Sequence, residues 1–406
     1  MRGLVTLLSL PAFVYAYSLS ELVDIAHQNK VIESATHQVN ASQKSYESTK
    51  RSYLPTVEIG ANLQNVYEET PALPENSMKA YASLKYTLYD GGKRGDLYNQ
   101  LSANVDASRK SLEAIKNDIA LDVSRLYFEY LALLSDKQAT LQEIEQLKAE
   151  YSRLDMFYKT GSVTQDEVQK IDSRLKSADV ALHEIELGIQ KVLHTLEYYT
   201  TKEIETITEG SHVKHEENSE IKVRPDIQAL EYQAEATRFE AESKQSATLP
   251  TLYFDNTASY SEYYFDQEPV TRFLVDKQNI ATLNLSWKIF DFGATNKSYE
   301  AKYEEYLSKK TSLEYQKAVA DVDYRLAQKS LEIASIKIDA TKATLEAASS
   351  TYDLIKLRYQ NGMIDNVAYL QALSEKYEAA RGYKRALYDY EVKKAEVIYY
   401  SGKNRS

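Results

Sequence analysis

The sequence contains no cysteine. That excludes disulfides, thiolate metal sites and any lipid anchor carried on a cysteine. Glycine (12) and proline (7) are few for 406 residues, so breaks are rare and the elements between them must be long. Tryptophan occurs once and phenylalanine nine times. Positive charge is not in excess: the formal net charge is −11 and no basic run stands out, which argues against nucleic acid as a partner. Beyond the N-terminus, no stretch reaches the ~20 apolar residues of a membrane helix.

Tyrosine, by contrast, is abundant at 34 residues. An apolar ring with a polar tip suits surfaces that are half apolar and half wet, a membrane–water boundary among them. The first residues, MRGLVTLLSLPAFVYAYS, carry one early cation, an apolar stretch and the small-residue spacing Val14-x-Ala16. They read as a secretory signal over 1–16 with cleavage after Ala16.

The remainder is one unit written twice. FYKTGSVTQDEV (157–168) recurs as RYQNGMIDNVAY (358–369), with the glycines 201 residues apart. Leu54-Pro55-Thr56 recurs as Leu249-Pro250-Thr251, and Tyr89-Asp90-Gly91-Gly92 as Phe290-Asp291-Phe292-Gly293. Two long copies in a common internal order are a tandem duplication, not an array of short repeats. The expected division is a first repeat over 17–204, a polar connector over 205–224, a second repeat over 225–402 and a tail over 403–406.

Each copy opens with a helical stretch, about 19–52 and 225–247, which the Leu-Pro-Thr stops because proline disfavours helical backbone in the residue before it. Strand patterning follows. Val57, Ile59, Ala61 and Leu63 alternate with polar residues, as do Leu84, Tyr86 and Leu88, and again Leu283, Leu285, Trp287 and Ile289. A period of two predicts strands with one apolar and one polar face, at about 54–69, 78–91, 250–264 and 273–291. The proline-bearing turns 70–77 and 266–271 separate them.

Residues 96–160 and 294–361 then contain no glycine or proline. At ~1.5 Å per residue each predicts a helix about 95–100 Å long, which needs a partner along its length. Leu345, Ala348, Tyr352, Ile355 and Tyr359 step 3-4-3-4, as do Val168, Ile171, Leu175, Ala178 and Leu182. Those are coiled-coil seams, so the glycine turns join antiparallel helices into two hairpins.

Each predicted strand is long enough for the ~9–11 residues of a membrane-spanning strand. In lipid a sheet has to close, and four strands cannot. Two, three or four copies would bring eight, twelve or sixteen strands together. A soluble four-stranded sheet capping a helical bundle is the alternative that the residues leave open.

The order of signal, helix, LP-strand, strand ending in (Y/F)D-x-G, long helix, F-x-x-G turn and returning helix, all repeated, resembles the TolC-type outer-membrane efflux proteins. The likeness covers essentially the whole chain after the signal. It implies a mostly α fold with a small β part. It further implies a homotrimer whose twelve strands form a barrel in outer-membrane lipid, continuous with a periplasmic α-helical barrel. The implied role is the exit duct of a tripartite efflux pump or of a one-step (type I) secretion system. The implied partners are a periplasmic adaptor (membrane fusion) protein and an inner-membrane transporter, with no cofactor.

In that family the hairpin tips close the tube and receive the adaptor. An acid and a neighbouring hydroxyl on the first hairpin bond a tyrosine and an arginine on the second. Carried over, the acid falls on Glu167 and the tyrosine on Tyr359, while Asp166 takes the hydroxyl position and Ile364 the arginine position. Two acidic constriction positions fall on Ala368 and Gln371, with Asp365 able to bring charge nearby. The docking tips correspond to Gly161, Ser162, Val163, Gly362 and Met363.

Structural readings exist for the same residues. Thr164-Gln165-Asp166-Glu167 spells a capping box, and Asp365 can cap the second returning helix. Gly161 and Gly362 suit left-handed backbone at helix ends, and Tyr359 continues its apolar seam. Asp291-Phe292-Gly293 spells a kinase signature without the motifs that accompany it. Gly91-Gly92-Lys93-Arg94-Gly95 lacks the spacing of a phosphate loop. His212, His215 and Glu216 could hold a metal but sit in the polar connector. No catalytic constellation emerges, so an enzyme is not expected. The rival reading is a periplasmic coiled-coil scaffold or adaptor without a pore.

Overall fold

Proline and glycine set most element boundaries in the computed structural model, which describes residues 16–214, 222–266 and 274–402. In chain order these are β1 (Ala16–Tyr17), α1 (Leu19–Ala26), α2 (Lys30–Ser52), β2 (Thr56–Asn65), β3 (Asn76–Tyr89), α3 (Lys93–Lys159) and α4 (Gln165–Thr200). The chain continues through β4 (Thr206–Ile207), α5 (Pro225–Gln245), β5 (Thr251–Tyr264), β6 (Lys277–Ser286), α6 (Ala294–Gln360) and α7 (Asn366–Tyr400). The signal (apart from Ala16), most of the turn 266–271 and the tail 403–406 lie outside the described residues. Two compact units result: one of Ala35–Leu112 and Asp226–Lys317, the other of the segments up to Ser34, Glu113–Pro225 and from Ala318 onward.

The first of these units holds a four-stranded antiparallel sheet in the order β2-β3-β5-β6. Its register places Val57 opposite Leu84, Ile59 opposite Ala82 and Leu63 opposite Met78, with Tyr86 opposite Phe254 and Phe254 opposite Leu283. One face is therefore largely apolar, with Asn256, Asn279 and Lys277 interspersed on it. The other carries Glu58, Lys85, Asp255, Ser259 and Thr282. The apolar face has no cover: Ile59 is 83% exposed, and Val57, Leu63 and Leu283 stand out in the same way. Nor, among the described residues, do β2 and β6 have partners on their outer edges.

Among the described residues, several boundaries differ from the sequence expectation, β6 for one starting at Lys277 rather than about 273. The helix expected over 19–52 breaks at residues 27–29, where the Asn29 side chain caps a new helix by accepting the Ile32 amide at 2.9 Å. β2 stops at Asn65 rather than about 69, giving way to a turn closed by Thr70 and Leu73. β6 stops at Ser286 although its alternation runs on through Ile289. Ser286 pairs with Thr251, and the next residue across is Pro250, which has no N–H to donate.

After each second strand an aspartate starts the long helix. Asp90 accepts the Arg94 amide at 2.9 Å, and Asp291 accepts those of Gly293 and Thr295 at 3.0 Å. That is the physical content of the repeated (Y/F)D-x-G. Both long helices run for 67 residues. In the second unit, α3, α4, α6 and α7 share a core in which Leu147, Ala178, Tyr352 and Leu373 are buried, with Leu175, Leu182 and Ile355 packed against it. The two seams legible in the sequence thus meet each other.

Candidate functional site

The two hairpin turns are built alike. Each long helix ends on a glycine in left-handed backbone, Gly161 at φ 74° and Gly362 at φ 67°. In the first, Gly161 N–H donates to Tyr158 O at 2.9 Å and Ser162 N–H to Phe157 O at 2.8 Å. In the second, Gly362 N–H donates to Tyr359 O at 3.0 Å and Met363 N–H to Arg358 O at 2.9 Å. This is the Schellman pattern, which satisfies carbonyls that a helix end leaves without partners. Ser162 and Met363 are exposed at the tips and Val163 is half-buried.

Capping of the returning helices is not alike. Asp365 accepts the Ala368 amide at 2.9 Å, as a good N-cap should. Thr164 occupies the N-cap position of α4 but makes no side-chain cap bond. Its hydroxyl turns to Asp166 instead, so the capping box expected there does not form. Asp166 also pairs with Lys170 at 3.1 Å. Thr164 and Lys170 together hold its carboxylate below the usual range.

The hairpins meet through Tyr359 and two residues that the sequence did not single out, Glu150 and Arg153. Tyr359, on the last turn of α6, donates its hydroxyl to Glu150 on α3 at 2.7 Å, and the bond is buried. It does not reach Glu167, where the resemblance puts its partner. Arg153, one turn beyond Glu150, grips the same carboxylate at 2.5 and 3.0 Å. Its guanidinium also lies 4.7 Å from the centre of the Tyr359 ring. The Tyr359 ring also stacks on that of Tyr369 at 4.7 Å, inclined by 15°. Burial and the Glu150 carboxylate push the Tyr359 hydroxyl well above its ordinary pKa, so it stays a donor. Burial works against the Arg153 charge, but Glu150 outweighs it and keeps the guanidinium protonated.

Glu167 meets the second hairpin by its backbone. Its carbonyl accepts from the Asn366 side-chain amide at 3.3 Å, and Asn366 is buried with its own side-chain oxygen unpartnered. Ile364, in the arginine position, packs against the apolar core. The guanidinium beside Tyr359 belongs to Arg153 of the first hairpin. Ala368 is half-buried, while Gln371 is exposed and donates to Glu375 at 3.0 Å.

Glu150 ends a row of buried acids spaced by seven on α3. Asp136 takes Arg385 at 2.8 and 2.5 Å, and Glu143 takes Arg381 at 3.2 Å, both from α7. Arg174 of α4 adds to Glu143 at 3.4 Å. Sequence reasoning followed the apolar seams and passed over this row. Acids at 136, 143 and 150 on one long helix were the signal that could have found it, since a heptad interval keeps them on one face.

In the connector, His212 lies 3.5 Å from Glu391. His215 and Glu216 lie outside the described residues. Among the described residues no group of three or more His, Cys, Asp or Glu could hold a metal ion, and no helix is long and apolar enough to cross a membrane.

Residues 22–200 and 218–402 match the family described as "Outer membrane efflux protein". No curated protein sequence gives a significant match. Among solved structures, a membrane protein from Pseudomonas aeruginosa superposes with a TM-score of 0.84 at 16% identity, over 95% of this chain and 90% of the other. The CmeC outer membrane channel of Campylobacter jejuni gives 0.82 at 19% identity, over 95% and 85%. The outer membrane protein VceC of Vibrio cholerae gives 0.82 at 15% identity, over 95% and 96%. Identities this low carry the fold alone.

Proposed function

Because the chain belongs to the outer membrane efflux protein family, and is on that ground an outer-membrane efflux channel, we propose that it is the passive exit duct of a tripartite pump or type I secretion system. The observation that carries this reading is the sheet, which among the described residues has one uncovered, largely apolar face and two unpaired edges. Backbone groups on an open edge have no partner in lipid, and closing the sheet with further copies supplies them. Three copies give twelve strands and a trimeric barrel. A pore-free scaffold would leave the apolar face unexplained, and nothing in the chain calls for enzymatic chemistry.

The hairpin tips form the periplasmic gate. Asp166, Glu167, Tyr359, Ile364 and Asp365 line it, and the Tyr359–Glu150–Arg153 cluster supplies the latch in place of the family's arginine. Adaptor docking at Gly161, Ser162, Val163, Gly362 and Met363 separates the tips, with energy drawn from an inner-membrane transporter. Three chains at −11 each carry −33 before processing, which favours cations over polyanions to the extent that this charge faces a water-filled lumen.

Single-channel recording of detergent-extracted protein in a planar bilayer tests the duct. Discrete, cation-selective steps of low resting conductance are expected. A protein that dissolves without detergent and gives no steps would overturn the reading in favour of the scaffold.

A further inference from the structure

Among the described residues, Gly60 is the only glycine inside a strand of the sheet. Glycine weakens a strand interior, so its presence there marks a bulge or a close approach. The Gly60 backbone is not left-handed, and its pairing with Tyr81 continues the register on both sides without a break. The reason is a close approach. A Cβ at Gly60 would lie 2.5 Å from both Cζ and the hydroxyl oxygen of Tyr81, so the far half of that ring rests directly on the glycine. The hydroxyl goes on to donate to Glu58 at 3.3 Å. Gly60 and Tyr81 are both half-buried.

The pair lies on the polar face of the sheet, with Glu58 and Lys85. Around Tyr81 that face carries short side chains, Ser83 next along β3 and Thr257, Ser259 and Ser261 on β5. The second repeat supplies a comparison. Gly60 and Tyr81 correspond in register to Asp255 and Thr282, as Thr56 and Lys85 do to Thr251 and Ser286, and each of these pairs is directly opposed. Where the large ring is present, the residue facing it is glycine. Where the facing strand carries a Cβ, the ring is absent.

We propose that Gly60 and Tyr81 set the clear bore of the membrane duct. Gly60 is the positioning residue: it gives the ring a place to lie flat along the wall instead of pointing into the lumen. In a closed assembly each chain brings one such ring to the same level, so the size of cargo that leaves depends on all of them lying flat. This inference rests on the reading of the polar face as the lining of the duct.

The absence of cysteine allows a test by size. Lys85→Cys places one thiol on the polar face, on the helical side of Tyr81. A reagent entering from the extracellular mouth has to pass the ring to reach it. Intact cells are labelled from outside with maleimides carrying polyethylene glycol of increasing mass. Gly60→Val suits a strand but lifts the ring. It should slow labelling by the largest polymer that Lys85→Cys alone admits by about tenfold or more, because clear diameter decides what passes a pore. Adding Tyr81→Ser should restore the original rate.

An unchanged size limit in Gly60→Val would overturn the proposal and leave Tyr81 as cover for a glycine on an edge strand. A limit that stays low after Tyr81→Ser would put the narrowing on the valine and overturn it equally. Should Gly60→Val fail to assemble, the second repeat carries the same comparison. Thr282→Tyr should lower the limit and Asp255→Gly added to it should restore it; no drop, or no recovery, would overturn the proposal. A small charged maleimide separates this failure from failure of the duct. If it cannot reach Lys85→Cys, the polar face lines no duct and both readings fall. If it labels while the polymer limit ignores Gly60→Val, only the proposal about the bore falls.

Discussion

Tyr158 and Tyr359 occupy the same position of the two copies, 201 residues apart, three residues before the glycine of each hairpin turn. Both carbonyls accept from that glycine in the same Schellman geometry. Yet Tyr158 is 43% exposed while Tyr359 is 9% exposed, and only Tyr359 bonds an acid of the other hairpin. Duplication reproduced the backbone and left the side chains to diverge. The local turn belongs to both copies, and of the two tyrosines only Tyr359 bonds across the hairpins.

The sharpest way to break that asymmetry is Glu150→Ala. It leaves the Tyr359 hydroxyl and the Arg153 guanidinium without their shared acceptor, at a cost of about 2–3 kcal/mol. Amide exchange should show the loss as easier opening of the ends of α6 and α7, with the turn at Gly161 unaffected. Protection unchanged at α6 would show that the cluster does not hold the hairpins together.

Where the copies are alike, equal substitutions should have equal effects. Gly161→Ala and Gly362→Ala each place a Cβ in left-handed backbone with open space around it, so only the conformational cost of about 1–2 kcal/mol applies. Exchange at the two turns should accelerate together. A much larger effect in one copy would mean that the turns differ in more than side chains.

Tyr359→Phe removes one buried hydrogen bond, about 1 kcal/mol, while Glu150 keeps Arg153. Tyr158→Phe should stay within about 0.5 kcal/mol. The smallest contrast lies at the caps. Asp365→Ala should cost about 0.5–1 kcal/mol, and Thr164→Ala only a few tenths because its hydroxyl does not cap. Equal losses at the two caps would contradict the bond between Thr164 and Asp166.

What the sequence made legible is what neighbouring residues decide. Pro55 and Pro250 mark the start of β2 and β5, the glycine-free stretches became 67-residue helices, and Gly161 and Gly362 took left-handed backbone. The exceptions are also physical. β6 ended at Ser286 because its partner strand begins after Pro250, a fact about pairing that period-two alternation does not contain. Thr164 chose Asp166 over the helix amides, a competition between two nearby partners for one hydroxyl. The site was least legible. Glu150 and Tyr359 are 209 residues apart, and only packing of α3 against α6 brings them together. The resemblance identified Tyr359 but not the acid beneath it, because a buried acceptor can come from any helix that passes within reach.

The central claim is that Tyr359 is the half of the repeat that holds the gate. Resting single-channel conductance of Tyr359→Phe, recorded beside Tyr158→Phe in planar bilayers, tests it most directly. The account predicts higher resting conductance in Tyr359→Phe and wild-type conductance in Tyr158→Phe. No change in Tyr359→Phe, or an equal rise in both, would contradict it.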